Sequence, residues 1–161
     1  MKKTLFFTTA AFAAISIASC SGPKKTDSEQ GETRSELEVY SGILPAADTD
    51  GIKYTLRLNF SPDSDFKSGS YDLEESYLMV DTLSTDGFKC TGTDISNGTF
   101  SVFAGEGSSS GRHYLKLDNS SDTVAAPPVF FLIENDSTLT MVNQQLEPSA
   151  NPDFNYSLTL Q

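Results

Sequence analysis

The chain has 161 residues, with eleven basic against twenty-two acidic side chains, a formal net charge of -11, no Trp and a single His. That is material for one domain, and the charge excludes nucleic acid and anionic membrane surfaces as direct electrostatic partners. Two cysteines in the whole chain leave no room for a disulfide framework, so the fold must rely on its core.

In chain order, the first feature is a basic start, Lys2 and Lys3, followed by the uncharged apolar run "LFFTTAAFAAISIA" over residues 5–18. The run is short for a bilayer span and reads as a secretory signal. It closes on Ile17, Ala18, Ser19 and Cys20, which resembles the bacterial lipobox: a branched aliphatic residue, two small residues, then the cysteine that is lipidated and becomes the first residue. Residues 1–19 are thus expected to be removed, and Cys20 to carry the acyl chains that hold the protein on a membrane. Ser21 rather than Asp follows the cysteine, and resemblance to enterobacterial sorting then implies the outer membrane. With Cys20 acylated, Cys90 has no disulfide partner in the chain; beside Phe88 in "GFKCTG" it reads as a small buried hydrophobe rather than a nucleophile.

Residues 21–36, "SGPKKTDSEQGETRSE", contain no aromatic or branched aliphatic side chain. They cannot offset their ordering entropy and are expected to form a flexible tether behind Cys20. The domain proper is expected over residues 37–161.

Within it, strands are expected at 37–43, 52–60, 70–73, 77–80, 88–91, 99–104, 113–118, 129–133 and 139–143, with a last one over 154–160. The cleanest is 54–60, where Tyr54, Leu56, Leu58 and Phe60 share one face while Thr55, Arg57 and Asn59 share the other. The last repeats the pattern with Phe154, Tyr156, Leu158 and Leu160. Between strands stands turn chemistry: "SPDSD", "STDG", "SNG", "GEGSSSG", "DNSSD" and "ENDS". No segment sustains a helical period. Many short strands with one-sided alternation predict an antiparallel barrel or sandwich, and a barrel is favoured because closure removes exposed edges without disulfides.

Most phrases that look like sites fail on context. "DTDG" lacks the first-position acid and the twelfth-position Glu of a calcium loop. "GEGSSSG" joins two strands and has no helix to aim at a phosphate. Glu74 and Glu75 are adjacent on a strand and face opposite ways, so they cannot flank one bond. Abundant Ser and Asp share the single His113, expected at a barrel rim or within a strand, and no nucleophile elbow appears. No catalytic residue, metal site or cofactor is predicted, and the protein is not expected to be an enzyme.

One stretch is more particular. In "YSGILPAADTDGIKYTLRL", Pro45 fixes its own φ and turns the strand ending at Leu44, Asp48 can accept from backbone amides, and Gly51 can take a positive φ on the way into the next strand. The phrase resembles the start of the NlpE copper-resistance lipoprotein family, whose signature is a tyrosine and a glycine, then LPCADC, a glycine, and a strand alternating Thr and Leu. Tyr40, Gly42, Leu44, Pro45, Ala47, Asp48, Gly51 and Ile52 match it. The resemblance implies a lipocalin-like β-barrel and an envelope role in copper resistance or stress sensing. Leu44, Pro45, Asp48 and Gly51 are its signature loop. Where the family has a CxxC, this chain has Ala46 and Thr49, so both thiolates are missing; the soft donors left after Cys20 are Cys90, Met79, Met141 and His113, scattered through separate strands. The expected partners are a membrane, through the lipid anchor, and either an envelope protein or a small apolar ligand held in the barrel.

Overall fold

A computed structural model describes residues 36–120 and 127–161; the expected signal segment, Cys20 and the tether up to residue 35 lie outside them. Eight strands form a closed antiparallel barrel in which each pairs with its neighbours in sequence and the last returns to the first. They are β1 (Leu37–Leu44), β2 (Gly51–Phe60), β3 (Ser68–Val80), β4 (Phe88–Ala104), β5 (His113–Asn119), β6 (Val129–Asn135), β7 (Thr138–Val142) and β8 (Ser157–Leu160). The sole helical element among the described residues is one 3₁₀ turn, Gly107–Ser109, in the β4–β5 connection.

The core follows from the two-residue period. The register sets Tyr40 opposite Leu56, Leu56 opposite Leu73, Leu58 opposite Tyr71, and Phe100 opposite Leu117, so one face of every strand points into the lumen. These residues, with Phe60, Leu115, Phe131, Leu139 and Leu158, form one buried cluster. Phe60 makes edge-to-face contacts with Phe66 and Phe100, at centroid distances of 5.3 and 5.1 Å. Such geometry adds to area burial.

Three sequence expectations are corrected. The strands expected at 70–73 and 77–80 are one, β3, and those expected at 88–91 and 99–104 are also one, β4. The "SNG" phrase is therefore no turn. Gly98 lies inside β4 because the strands come too close for a side chain: a Cβ there would stand 2.0 Å from the Asp118 carbonyl oxygen and 3.0 Å from the Tyr71 ring. The final strand is shorter than its alternation implies, beginning at Ser157. Asn155 accepts the Ser157 N–H in a turn, which leaves Phe154 outside and 53% exposed.

A second small core was not legible in the sequence. Tyr114, Leu132 and Val142 are buried, with Phe103, Phe130 and Leu146 packed on them. In the ladder Tyr114 lies opposite Phe103 and Leu132, on the face turned away from the lumen. The β7–β8 connection covers this face, and Tyr114 O–H donates to the Leu146 carbonyl at 3.4 Å. At the other end of the chain, Glu36 already belongs to the barrel, its carbonyl accepting the Phe60 N–H at 2.9 Å.

Candidate functional site

The β1–β2 connection is built from both its ends. Leu44 is buried at the end of β1 and Pro45 half-buried after it, where proline's fixed φ stops the ladder. At the far end Gly51 has φ +156°, a positive value that L side chains rarely adopt, and a Cβ there would also lie 2.8 Å from Ile43 Cγ2. The side chains that hold the loop are Thr49 and Asp50. Thr49 Oγ1 donates to the Gly51 carbonyl at 3.0 Å. Asp50 N–H donates to the Leu78 carbonyl at 3.0 Å, and the Val80 N–H donates to Asp50 Oδ2 at 2.7 Å. Asp50 therefore latches the loop to the end of β3. Asp48, expected from the sequence to hold the turn, is exposed. The missed signal is position: an Asp directly before the strand can reach a neighbouring strand's free amide, whereas one earlier in the turn faces water.

Beside this loop β3 and β4 run on past the end of the β5 ladder, which starts at Gly98. Here the lumen-facing positions are polar. Tyr54 lies opposite Glu75, and Glu75 opposite Asp94. Burial, then the hydrogen bond to Glu75 and its charge, push the Tyr54 phenol well above its usual range. Tyr77 O–H donates to Asp94 Oδ2 at 2.8 Å, and that hydrogen bond is the first cause of its raised pKa. Both phenols stay neutral donors at any physiological pH. On the opposite face Glu74 stands 3.9 Å from Arg57; Glu74 and Glu75 do point apart.

Cys90 is corrected: it is exposed, not buried. A register shift between Tyr77 and Leu78 brings it opposite Leu78, in a part of β4 that nothing among the described residues covers. Its sulfur lies 3.6 Å from Thr93 Oγ1 and 3.3 Å from the Gly92 carbonyl. Hydrogen bonding with Thr93 first, and with the Gly92 backbone second, lowers its pKa. The four soft donors are not brought together. Met79 shares the Cys90 region, Met141 packs on the lumen core, and His113 begins β5. Among the described residues no group of three or more His, Cys, Asp or Glu is placed to hold a metal ion.

Comparison with protein families then bears directly on this loop: the NlpE N-terminal domain profile matches residues 40–151, from β1 through the loop and on past β7. The chain belongs to the NlpE family. This is a family of envelope lipoproteins of the copper-resistance and envelope-stress type, so a cell-envelope setting is the coarse conclusion it carries. No curated protein sequence and no solved structure gives a significant match. Within the NlpE framework the altered positions are now located. Ala46 is half-buried beside Pro45, and Thr49 spends its hydroxyl on the loop itself. The loop keeps its shape through bonds that need no thiol.

Proposed function

We propose that this NlpE-family protein is a non-enzymatic lipoprotein, anchored through Cys20 in the cell envelope, on the outer membrane, where its barrel binds or senses envelope proteins. The match to the NlpE N-terminal domain over residues 40–151 is the observation that carries this reading. The alternative, a lipocalin-like carrier of a small apolar ligand, is disfavoured by the lumen. Thirteen buried side chains, five of them Tyr or Phe, meet there in one cluster, and a carrier needs several hundred cubic ångströms left open. Soft-metal handling by the family loop is disfavoured as well, since the matching positions are Ala46 and Thr49 and neither side chain offers a thiolate.

The reading is tested on protein isolated from its own membrane. Native mass spectrometry is expected to give the acylated chain alone. A stoichiometric apolar adduct would replace the proposal with the carrier reading. Cys20→Ala is expected to abolish palmitate labelling and release the protein from membranes. Undiminished labelling would remove the anchor. Binding or sensing is tested in cells by a photo-crosslinking residue at Ala47, exposed in the β1–β2 loop. An envelope protein captured there only when Cys20 is intact supports it, and the absence of any captured protein, there or elsewhere on the barrel, counts against it.

A further inference from the structure

Among the described residues, one long stretch of β4 is paired on one side only. β4 spans seventeen residues, and β3 pairs with it along nearly the whole length, yet β5 reaches only from Gly98 to Ala104. The last rung is Ser120, whose N–H donates to the Asn97 carbonyl at 3.1 Å. The direction of the free groups follows from the ladder. Val102 N–H donates to Lys67, on the β3 side, while the Asn97 carbonyl faces the β5 side. By the two-residue period, Ile95 and Thr93 turn their N–H and C=O groups to the β5 side as well, where no described strand meets them. Most proteins protect such an edge or use it.

The side chains along the edge alternate in kind. Asp94 faces the lumen side with Glu75, its cross-strand neighbour. Ile95 faces the other way and is 73% exposed. The surrounding arm is acidic: Asp72, Glu74, Glu75, Asp81, Asp86 and Asp94 stand against Lys89 alone between residues 72 and 96. That charge, with the net -11 of the chain, works against a second copy of the same edge and favours a cationic partner.

We propose that residues 93–96 of β4 are a docking edge for an extended segment of a partner protein in which cationic and apolar side chains alternate. The segment adds a strand beside β4. Its cationic side chains lie over Asp94 and Glu75, and its apolar ones beside Ile95. This names the surface and the partner chemistry within the sensing role proposed above, and it rests on that reading.

The full-length chain in detergent is titrated, by fluorescence anisotropy, with a labelled ten-residue peptide alternating Lys and Val and with its Glu–Val counterpart. Binding of the Lys–Val peptide alone is expected. Ile95→Pro removes one edge N–H without touching the β3 ladder and should weaken binding by about tenfold, the scale of a lost hydrogen-bonded rung. Asp94→Lys should weaken the Lys–Val peptide and admit the Glu–Val one. Circular dichroism melts unchanged from the parent establish that the variants are folded; if Ile95→Pro melts early, Ile95 N-methylation by semisynthesis makes the same test. Equal affinity before and after loss of the N–H would overturn the proposal, since attraction would then be charge alone. A dimer seen by light scattering and abolished by Ile95→Pro would also overturn it, by assigning the edge to a second copy. A photo-crosslinking residue at Ile95 separates the two readings. Envelope proteins captured from Ala47 and never from Ile95 sink the edge and leave the sensing role standing, whereas none captured from either sinks both.

Discussion

Two hairpins of this barrel are written in nearly the same words and end in opposite surroundings. The β2–β3 turn, "FSPDSDFK" from Phe60 to Lys67, and the β3–β4 turn, "VDTLSTDGFK" from Val80 to Lys89, both close through chained backbone bonds. Ser64 N–H donates to Ser61 and Lys67 N–H to Ser64; Ser84 N–H donates to Asp81 and Gly87 N–H to Ser84. In the first, Asp65 and Phe66 accept positive φ values of 51° and 56°, an unfavourable geometry for a bulky side chain, and Phe66 is driven against Phe60 and the core. In the second, Gly87 takes the positive φ without strain, and Val80 and Leu83 remain 61% and 95% exposed. Local turn chemistry is shared; what differs is whether neighbouring strands rise high enough to cover it. The closed body is held mainly by burial, and the β3–β4 arm mainly by its ladder and the hydrogen bonds from Asp50 and Tyr77.

The largest contrast should appear in unfolding by urea. Phe131→Ala, in the fully buried lumen, is expected to cost about 3–5 kcal/mol, while Ile95→Ala on the arm stays within about 0.5 kcal/mol. Comparable losses would erase the distinction between body and arm. A smaller contrast sits within one strand. Gly98→Ala forces a methyl group onto the Asp118 carbonyl and should cost about 1–3 kcal/mol. Gly92→Ala meets only the Tyr77 ring at 3.8 Å and should be neutral or slightly stabilising in the same melts.

The family loop sharpens the comparison because it joins the body to the arm through Asp50. Reinstating the CxxC as Ala46→Cys with Thr49→Cys is expected to lose the Thr49 hydrogen bond, about 1 kcal/mol, and to create Cu(I) or Zn(II) affinity absent from the natural chain. Titration against a competing chelator under reducing conditions checks this. Equal affinities in both proteins would mean that the loop does not bring the two thiols together. The smallest effect concerns Cys90. In a chain carrying Cys20→Ser, the alkylation rate of folded protein should rise with pH at a lower midpoint than in the urea-unfolded chain, because Thr93 and Gly92 favour the thiolate. Thr93→Val should move the midpoint up. By linkage, any stability tied to this depressed pKa is present above the unfolded-state value and lost as pH falls through the folded-state one.

The body was legible because its strands obey a two-residue alternation with one face buried: Leu56, Leu58 and Phe60 announce the lumen by their spacing alone. The arm was not, for the same reason. With both faces wet, residues 88–97 carry no periodic apolar signal, so β4 looked like two short strands around a turn and Cys90 looked like core. The outer cluster around Tyr114 escaped notice because a strand covered on both faces loses its alternation. In the candidate loop the turn at Pro45 and the need for Gly51 were readable, but the latch was not, since Asp50 bonds to Val80, thirty residues away.

By itself, the sequence determined the all-β class, the order of most strands, the inward face of β2, the family phrase around Pro45, and the absence of its two cysteines. These are properties of one strand or one turn, set by backbone geometry and by which side chains avoid water. Only the tertiary structure decided that β3 and β4 outrun their neighbours, that Cys90 is exposed, that Gly98 is a point of close contact rather than a turn, and that one edge of β4 meets no second strand among the described residues. Each of those depends on where a second strand begins or stops, and a strand carries no record in its own residues of how far its partner extends.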